Sequence, residues 1–367
     1  MPAETKTSLD LLVEEAARQL NICNACRYCE GYCAVFPALE RRNLLAESDV
    51  TQLANLCHDC RACFDACMYI PPHEFALNLP KVLSEARLES YGRYVWPARV
   101  PRLFRGWLGV FAGAVASALV LVVIALSTVG PAALVTTPGR GAWSPYDVIP
   151  FPALIAAMFA TAIYAVVVML VAARRFWVDV GGDRLPFRLE AVWRAVVDSL
   201  SLRNLRGGGE DCYYPDDERP SPVRRRLHGL VAYGFGLCTV STISAAVLEH
   251  LLGSEPPYPV VSVPVISGLV GGAGIVVGCT GLLRMKAVSS KVTSFAEMTI
   301  KDYGLLVALH FLALSGLAAF LVRDTAAFGI VFLVHIAAVA LTFAVSPYSK
   351  FVHLVYRFLA LVRDNLE

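Results

Sequence analysis

Cysteines near the N-terminus form one spaced array that occurs twice. Each array reads C-x2-C-x2-C-x3-C, and the second begins 34 residues after the first. This spacing is typical of a pair of [4Fe–4S] clusters, in which three thiolates of a run bind one cubane and the fourth cysteine binds the other. The expected ligand sets are Cys23, Cys26, Cys29 and Cys67 for the first cluster, and Cys57, Cys60, Cys63 and Cys33 for the second.

A structural zinc module and a disulfide framework are the alternatives for these cysteines. Zinc fits paired cysteines well, but Cys29 and Cys63 would then each be a third closely spaced thiolate without a role. No secretory signal precedes the arrays, which disfavours disulfides. The spacing therefore favours two clusters that pass single electrons.

Beyond residue 106 the chain has the composition of a membrane protein. Hydrophobic residues make up 56% of the sequence, and the mean hydropathy is +0.57. A helix needs about 20 apolar residues to cross a bilayer. We predict six such spans, over residues 107–129, 148–173, 227–252, 263–283, 304–322 and 326–345, and we expect Ser346–Pro347 to bend the sixth helix before it continues over 351–361. The net charge of +2 gives no reason to expect a nucleic-acid partner.

Arginines and lysines fall on alternate sides of these spans. Basic residues precede the first span, fill the connection 174–226, recur between the fourth and fifth spans, and follow the sixth; the other connections hold few. By the positive-inside rule, the cysteine arrays, the loop 174–226 and the C-terminus face the cytoplasm. We therefore expect a multi-pass protein of the cytoplasmic (inner) membrane, with its clusters on the reducing side.

The elements that position the cysteines are predicted to be helices. Apolar residues recur at helical intervals between Leu9 and Leu20, with Ser8 as the cap, and a short helix is expected over 49–56. Alternating strand patterns are absent. We predict an all-α fold: a cytoplasmic, helical, ferredoxin-like two-cluster domain over residues 1–98, followed by a transmembrane haem b-type domain over 99–367, built as a six-helix bundle.

Five histidines lie in or at the edges of the predicted spans. Ionisable side chains there are costly and mark function, and imidazoles on facing helices are usual axial ligands of b-type haem. The two histidines of the third span lie ~33 Å apart and those of the sixth ~27 Å apart along a helix, so these helices can hold one haem near each face. The fifth-span histidine is an alternative partner for the outer one of the sixth. The candidates are His228, His250, His310, His335 and His353.

The sequence offers no site for an organic substrate. No GxGxxG precedes a helix, so no flavin or nicotinamide site is expected. The chain is therefore expected to move electrons without oxidising a substrate itself, and to need a partner that supplies them.

Three segments of the chain resemble the tricarballylate/citrate utilisation protein B family. They are CNACRYCEGYCAVFPALE at 23–40, CHDCRACFDACMYIPPHEFALNLP at 57–80 and HIAAVALTFAVSPYSKFVHLVYR at 335–357. The resemblance spans nearly the whole chain. It implies an electron-transfer protein with iron–sulfur clusters and haem. Such a protein reoxidises a separate FAD-dependent dehydrogenase of tricarballylate and passes the electrons to the quinone pool.

The last of these segments is also similar to the haem-binding helices of the respiratory nitrate reductase gamma subunit and of the membrane subunit of heterodisulfide reductase. That similarity implies His353 as the cytoplasm-side haem ligand and His335 as the ligand nearer the other face.

Taken together, these features predict a membrane oxidoreductase subunit. It would carry electrons from a cytoplasmic FAD-dependent dehydrogenase through two [4Fe–4S] clusters and one or two haem b groups to quinone. Two alternatives stay open: the electron-transfer subunit of a heterodisulfide-reductase-like complex, and a non-catalytic membrane iron–sulfur redox sensor.

Overall fold

The computed structural model describes residues 7–102, 107–135, 144–207, 211 and 221–367, and every regular element within them is helical. The cysteine domain contains α1 (Ser8–Cys26), α2 (Val35–Glu40), α3 (Glu47–Leu56), α4 (Ala62–Asp65) and α5 (Leu79–Arg93). The rest of the chain contains α6 (Trp107–Thr128), α7 (Ala132–Val135), α8 (Phe151–Asp179), α9 (Leu189–Leu200), α10 (Val223–Leu252), α11 (Val263–Val288), α12 (Ala296–Leu321), α13 (Phe328–Val345) and α14 (His353–Leu366).

Six of these helices, α6, α8, α10, α11, α12 and α13, are long and apolar enough to cross a membrane. They match the predicted spans in number and order, so the all-α fold with six spans is confirmed and the chain is a multi-pass membrane protein. The helix ends differ from the prediction. Sequence composition predicts only the apolar part of each helix. The helix α8 continues to Asp179 and α12 begins at Ala296, because the polar ends of these helices pack on the cysteine domain.

The start of α1 is set by Thr7, one residue before the predicted cap Ser8. Thr7 Oγ1 accepts a hydrogen bond from the Asp10 amide (3.2 Å), and the Asp10 carboxylate accepts one from the Thr7 amide (2.8 Å). This reciprocal capping box needs an acidic residue three positions after the cap, and Asp10 has that spacing from Thr7. The cap fixes the helix that carries Cys23 and Cys26 at its other end.

The cysteine domain lies against one side of the bundle, which we call the inner side; the opposite side is the outer side. Arg61 donates hydrogen bonds to the Ser290 carbonyl (2.9 Å) and to Ser294 Oγ (2.7 Å), both between α11 and α12. Asn78 Nδ2 donates to the Val292 carbonyl of the same connection (2.9 Å). The inner ends of the spans are thereby joined to the cysteine loops.

One apolar core joins the cysteine domain to the inner ends of α8, α12 and the C-terminal helix α14. Phe176 of α8 stacks on Tyr356 of α14 with ring centroids 5.0 Å apart, and Tyr94 packs edge-on against both rings. Each fully buried aromatic side chain contributes roughly 2–3 kcal/mol. The domain boundary at residues 98 and 99 stays a prediction, and the core crosses it.

The helices α10 and α11 touch backbone to backbone. A Cβ at Gly271 would stand 2.6 Å from the Gly234 carbonyl, and one at Gly234 would stand 2.7 Å from the Gly271 carbonyl. Small residues allow this approach in membranes, where dispersion replaces the hydrophobic effect between helices. The pair gives α10, which carries two of the candidate histidines, a rigid support.

The predicted bend after the sixth span is a complete helix break. The helix α13 ends at Val345, two short 3₁₀ turns follow, and α14 begins at His353. Pro347 causes the break, since it has no N–H to continue the helix. His353 therefore does not share a helix with His335, and the ~27 Å helical separation predicted for this pair does not apply.

Candidate functional site

The eight array cysteines line two neighbouring cavities. The first is lined by Cys23, Cys26, Cys29, Cys63 and Cys67, and the second by Cys33, Cys57, Cys60 and Cys63. Each cavity thus contains all four members of one expected ligand set. The fourth cysteine of each array, Cys33 or Cys67, lies with the opposite array.

The two loops are shaped by the same backbone device. Arg27, one residue after Cys26, has φ +58°, and Arg61, one residue after Cys60, has φ +73°. A left-handed residue that is not glycine costs roughly 1–2 kcal/mol, and such strain persists where the surroundings over-determine it. At both positions the turn reverses the chain so that the third cysteine of the run, Cys29 or Cys63, returns to the cavity.

The thiols sit in surroundings that disfavour free thiolates. Burial, with the neighbouring cysteines second, raises the pKa of Cys23 and of Cys29 to about 12. Burial likewise raises the pKa of Cys33 and Cys63 well above the ordinary value. Several thiolates can share such a pocket only around a cationic centre. Soft sulfur donors in sets of four fit the irons of a [4Fe–4S] cluster.

Disulfides and single-ion sites do not account for the cysteines that the structure describes. All ten of them are free thiols. Within the described ranges, no three His, Cys, Asp or Glu side chains are grouped to hold one metal ion. Cubane ligands surround four irons, so they stand further apart than the ligands of a single ion.

The two cavities differ in exposure. Beside the first cavity Cys26 is exposed, and Tyr28 and Met68 are 60% and 64% exposed. At the second cavity Cys57 is only 8% exposed, and the wall includes His58. The first site therefore faces outward from the cysteine domain, while the second faces the membrane helices.

His58, His228 and His353 approach one another on the inner side. His58 of the second array lies within electrostatic range of His228 of α10. His353, at the start of α14, also lies within electrostatic range of His228. Burial lowers the pKa of His58 and of His353 well below the usual histidine range, so both rings are neutral at pH 7, as iron ligation requires.

The ring orientation of His353 suits metal binding through Nε2. His353 Nδ1 lies 2.5 Å from the Lys350 carbonyl, which can accept a hydrogen bond from it. Haem-ligating and zinc-ligating histidines are usually fixed in this way through the nitrogen that does not bind the metal. His228 Nδ1 is shielded from solvent without a hydrogen-bond partner. The inner pair thus consists of one oriented imidazole and one with an unsatisfied nitrogen.

His335 is held in the outer half of the bundle. Its Nδ1 lies 3.1 Å from Ser315 Oγ of α12, and Gly316 leaves room for the ring, since a Cβ there would stand 2.9 Å from His335 Cε1. His310 lies five and six residues earlier on α12, and at ~100° per residue it points to the opposite side of the helix. The arrangement therefore does not bring His310 and His335 together.

His250 lies at the outer end of α10. It is exposed, and its ring packs edge-on against Phe151 with centroids 5.5 Å apart. The adjacent Glu249 carboxylate accepts a hydrogen bond from the Tyr146 hydroxyl at 2.6 Å. His250 and His335 both belong to the outer half, as the spans predicted, but each ring contacts other residues.

Comparison with known proteins gives a family. The model for the citrate utilization protein B Fer4-like domain matches residues 16–93, which contain both cysteine arrays, and the model for citrate utilization protein B matches residues 108–367. The chain belongs to the citrate utilization protein B family. A curated relative, citrate utilization protein B of Escherichia coli, is 37% identical over 356 residues, covering 96% of this chain and 92% of the relative. No solved structure matches the chain.

Membership of the citrate utilization protein B family agrees with the resemblance predicted from the three segments. The Fer4-like match indicates an iron–sulfur protein with a redox role, and the six spans place that role at a membrane.

Sequence reasoning missed the arginines that join the second cysteine loop to the membrane helices. Arg224 of α10 and Arg357 of α14 donate to backbone carbonyls of that loop. Their positions in the sequence indicate only the orientation of the spans. A usable signal was present: Arg224 precedes His228 by four residues and Arg357 follows His353 by four, so each arginine shares a helix face with a candidate ligand.

An ion triad around a buried aspartate was missed as well. Asp302 of α12, whose side chain is 4% exposed, pairs with Lys286 of α11 and with Lys350. Lys350 stands three residues before His353, and its carbonyl faces the His353 ring. The triad therefore braces the turn that presents His353 against two spans.

Proposed function

We propose that this protein is a membrane electron-transfer subunit that reoxidises a cytoplasmic FAD-dependent dehydrogenase, by family resemblance one that acts on tricarballylate, and delivers the electrons to quinone. Two [4Fe–4S] clusters on the two cysteine sets and haem b on the membrane histidines would supply the one-electron chemistry. One observation carries the proposal: His58 lies in the wall of the second cysteine cavity and also within electrostatic range of His228 of the membrane bundle.

The chain's own residues give this route a direction. The first cavity opens at the surface of the cysteine domain, where Cys26, Tyr28 and Met68 are exposed, so a partner flavin can come close to it. The second cavity faces the bundle. An electron accepted at the surface would therefore be transferred inward to the membrane helices. A partner flavin that carries two electrons would give them up one at a time.

The inner histidines are the best-supported haem ligands. His228 and His353 come from different helices and lie near each other, and His353 is oriented through Nδ1. His335 is oriented in a similar way by Ser315, which supports a second haem in the outer half with His250 as the remaining candidate. His310 faces away from His335 and is the weakest candidate.

The basic inner side orients the protein. The arginines and lysines at the inner ends of the spans and in the loop 174–226 favour the cytoplasmic side. We therefore infer that the cysteine domain and the C-terminus are cytoplasmic. This is the side on which a soluble dehydrogenase would be found.

An optical and metal analysis of the detergent-purified protein tests the proposal. We expect about eight non-haem irons per chain from two cubanes, and a b-type haem spectrum that is reduced when a quinol analogue is added. His353→Ala should remove the inner haem without removing non-haem iron, while His310→Ala should leave haem and non-haem iron unchanged. Full iron content without haem in the wild-type protein would contradict the proposal and favour the redox-sensor alternative.

A further inference from the structure

We propose that arginines of α10, α14 and α5 make the second cysteine site the one of higher potential, so that electrons move from the first site to the second. The inference rests on the two clusters of the proposed function. In the step itself one electron leaves the first cluster and one enters the second, and no proton needs to move. The electrons come from a reduced flavin of the partner.

The arginines hold the second loop through its main chain. Arg224 donates to the carbonyls of Asp59 (2.7 Å) and Cys60 (3.0 Å). Arg357 donates to the carbonyl of Cys57 (2.7 Å). Each of these three bonds puts a guanidinium charge directly behind a segment that carries cysteine ligands. Both arginines lie outside the cysteine domain.

A third cation, Arg87 of α5, is buried beside them. Its side chain is 1% exposed, Nε donates to the Ala54 carbonyl (2.8 Å), and Nη2 is buried without a partner. Arg87 and Arg357 both lie close enough to Cys57 to influence its charge. Asp59 and Asp302 are the carboxylates whose charges act on Arg87, so the three arginines outnumber the carboxylates at this site.

These charges oppose the effect of burial. Reduction adds one negative charge to a cluster, and a poorly solvated site disfavours that charge, which lowers the potential. Nearby cations stabilise the reduced form, and they do so most strongly where water does not screen them. Without its arginines, the buried second site would be the harder of the two to reduce.

The first loop has no such arrangement among the described residues. Arg27 holds the position equivalent to Arg61, but its side chain is exposed and its Nε donates to the Asn24 carbonyl of its own turn (3.2 Å). Solvent screens a charge at this position. The spacing of the two arrays is the same, so the difference in potential would come from the surroundings.

Redox titration followed by EPR tests the inference on the purified full-length protein. Arg224→Gln should lower the midpoint of the higher-potential cluster enough to change the electron-transfer equilibrium about tenfold, or about 59 mV for a one-electron couple. Arg224→Lys keeps the charge and should restore most of the difference. Arg27→Gln is the matched control and should leave both midpoints unchanged.

Several outcomes would overturn the inference. Equal shifts of the midpoint potential for Arg224→Gln and Arg224→Lys would show that loop geometry, and not charge, causes the effect. A shift of the lower-potential cluster in Arg224→Gln would show that Arg224 acts on the other cluster. Unchanged midpoints in Arg224→Gln and Arg357→Gln, both with full iron content, would also refute it. The midpoint potentials of the clusters are measured without quinone or the partner protein. A failure of this inference can therefore be distinguished from a failure of the proposed function.

A different observation carries a second inference: we infer that α9 lies in the lipid headgroup region on the inner side. One face of α9 is apolar and open, with Leu189, Trp193 and Leu200 73%, 65% and 64% exposed. The face packed on the protein is made of Ala191 and Ala195, which are 2% and 0% exposed. A helix with one packed, one apolar and one charged face is typical of a membrane interface.

The position of α9 favours lipid as the occupant of its apolar face. The Tyr233 hydroxyl donates to the Leu200 carbonyl at 2.5 Å, and Tyr233 lies ten residues inside α10, ~15 Å along the span. The C-terminal end of α9 therefore lies beside the inner part of the membrane-spanning helix α10. The remaining face carries Glu190 and Arg194, which pair at 2.5 Å and suit the aqueous side.

Site-specific photocrosslinking in proteoliposomes of phosphatidylethanolamine and phosphatidylglycerol tests this placement. A benzophenone amino acid in place of Trp193 should give phospholipid adducts, and the same group in place of Arg194, one residue further on, should give at least tenfold fewer. Equal lipid adducts at both positions would contradict the placement. Adducts at position 193 with protein alone would show that another chain covers this face.

Discussion

The two cysteine loops have the same spacing and the same left-handed turn, but they differ in what surrounds them. Arg27 and Arg61 occupy equivalent positions. The Arg27 side chain is exposed, whereas Arg61 bridges to Ser290 and Ser294 between two spans. The comparison teaches that local sequence defines a ligand set, while the position of that set in the molecule defines whether it receives electrons from outside or passes them to the membrane.

Exchanging the fourth cysteines is the most drastic way to break this comparison. Cys33→Ser should remove the second cluster and Cys67→Ser the first, because each lies in the cavity of the opposite array. Each variant should retain about four of the eight non-haem irons expected for two cubanes. Iron analysis and EPR give the result.

The remaining signal identifies the ligand set in each variant. In Cys33→Ser it should be that of the lower-potential cluster, and in Cys67→Ser that of the higher. If Cys33→Ser instead removed the first cluster, each array would bind its own cubane with all four cysteines, and the crossover assignment would be wrong.

Removing Asp302 should give the next largest effect, on the second site's side of the molecule. Asp302→Asn leaves the partly buried Lys286 and Lys350 side by side without their shared carboxylate. Breaking a buried ion pair by removing one partner costs about 3–5 kcal/mol. Thermal unfolding in detergent should show a clearly lower midpoint, and the haem proposed at His353 should be lost before the clusters.

An exposed ion pair is the control for Asp302. Glu190→Gln removes the partner of Arg194, whose pair is 64% and 70% exposed, and should change stability by less than about 0.5 kcal/mol. Similar unfolding midpoints for the two variants would mean that the Asp302 triad does not brace the bundle.

Glycine at the two equivalent arginines would sharpen the comparison. Arg27→Gly and Arg61→Gly both relieve a left-handed backbone, a gain of roughly 1 kcal/mol. Arg61→Gly also loses its two bonds to the connection between α11 and α12, at ~1 kcal/mol each. Arg27→Gly should therefore be the more stable variant by about 1–2 kcal/mol in chemical denaturation. Equal stabilities would mean that Arg61 contributes no net tertiary contact.

Sequence predicted those features that depend on residues close together in the chain. The cysteine spacing, the six spans and the family segments are of this kind. The arginine contacts are not, since Arg224 and Asp59 are 165 residues apart and Arg357 and Cys57 are 300 apart. The same holds for His310, whose direction on α12 was hidden in an apolar run, and for His353, which Pro347 removes from the sixth span.

The smallest expected effect concerns the far end of α14, the helix that brings His353 and Arg357 to the second site. Burial raises the pKa of Asp364 above its ordinary value, although Arg41 of the cysteine domain pairs with it and acts in the opposite sense. A carboxyl group with a raised folded pKa favours folding below its unfolded pKa of about 4, and this contribution is lost as the pH rises through the folded pKa. At pH 7 the ionised Asp364 should therefore destabilise α14 slightly.

Asp364→Asn should be more stable than the wild type by a few tenths of a kcal/mol at pH 7, and the difference should shrink toward pH 4. Thermal unfolding at both pH values measures it; a less stable Asp364→Asn protein at pH 7 would show that the ion pair with Arg41 outweighs burial and holds α14 on the cysteine domain.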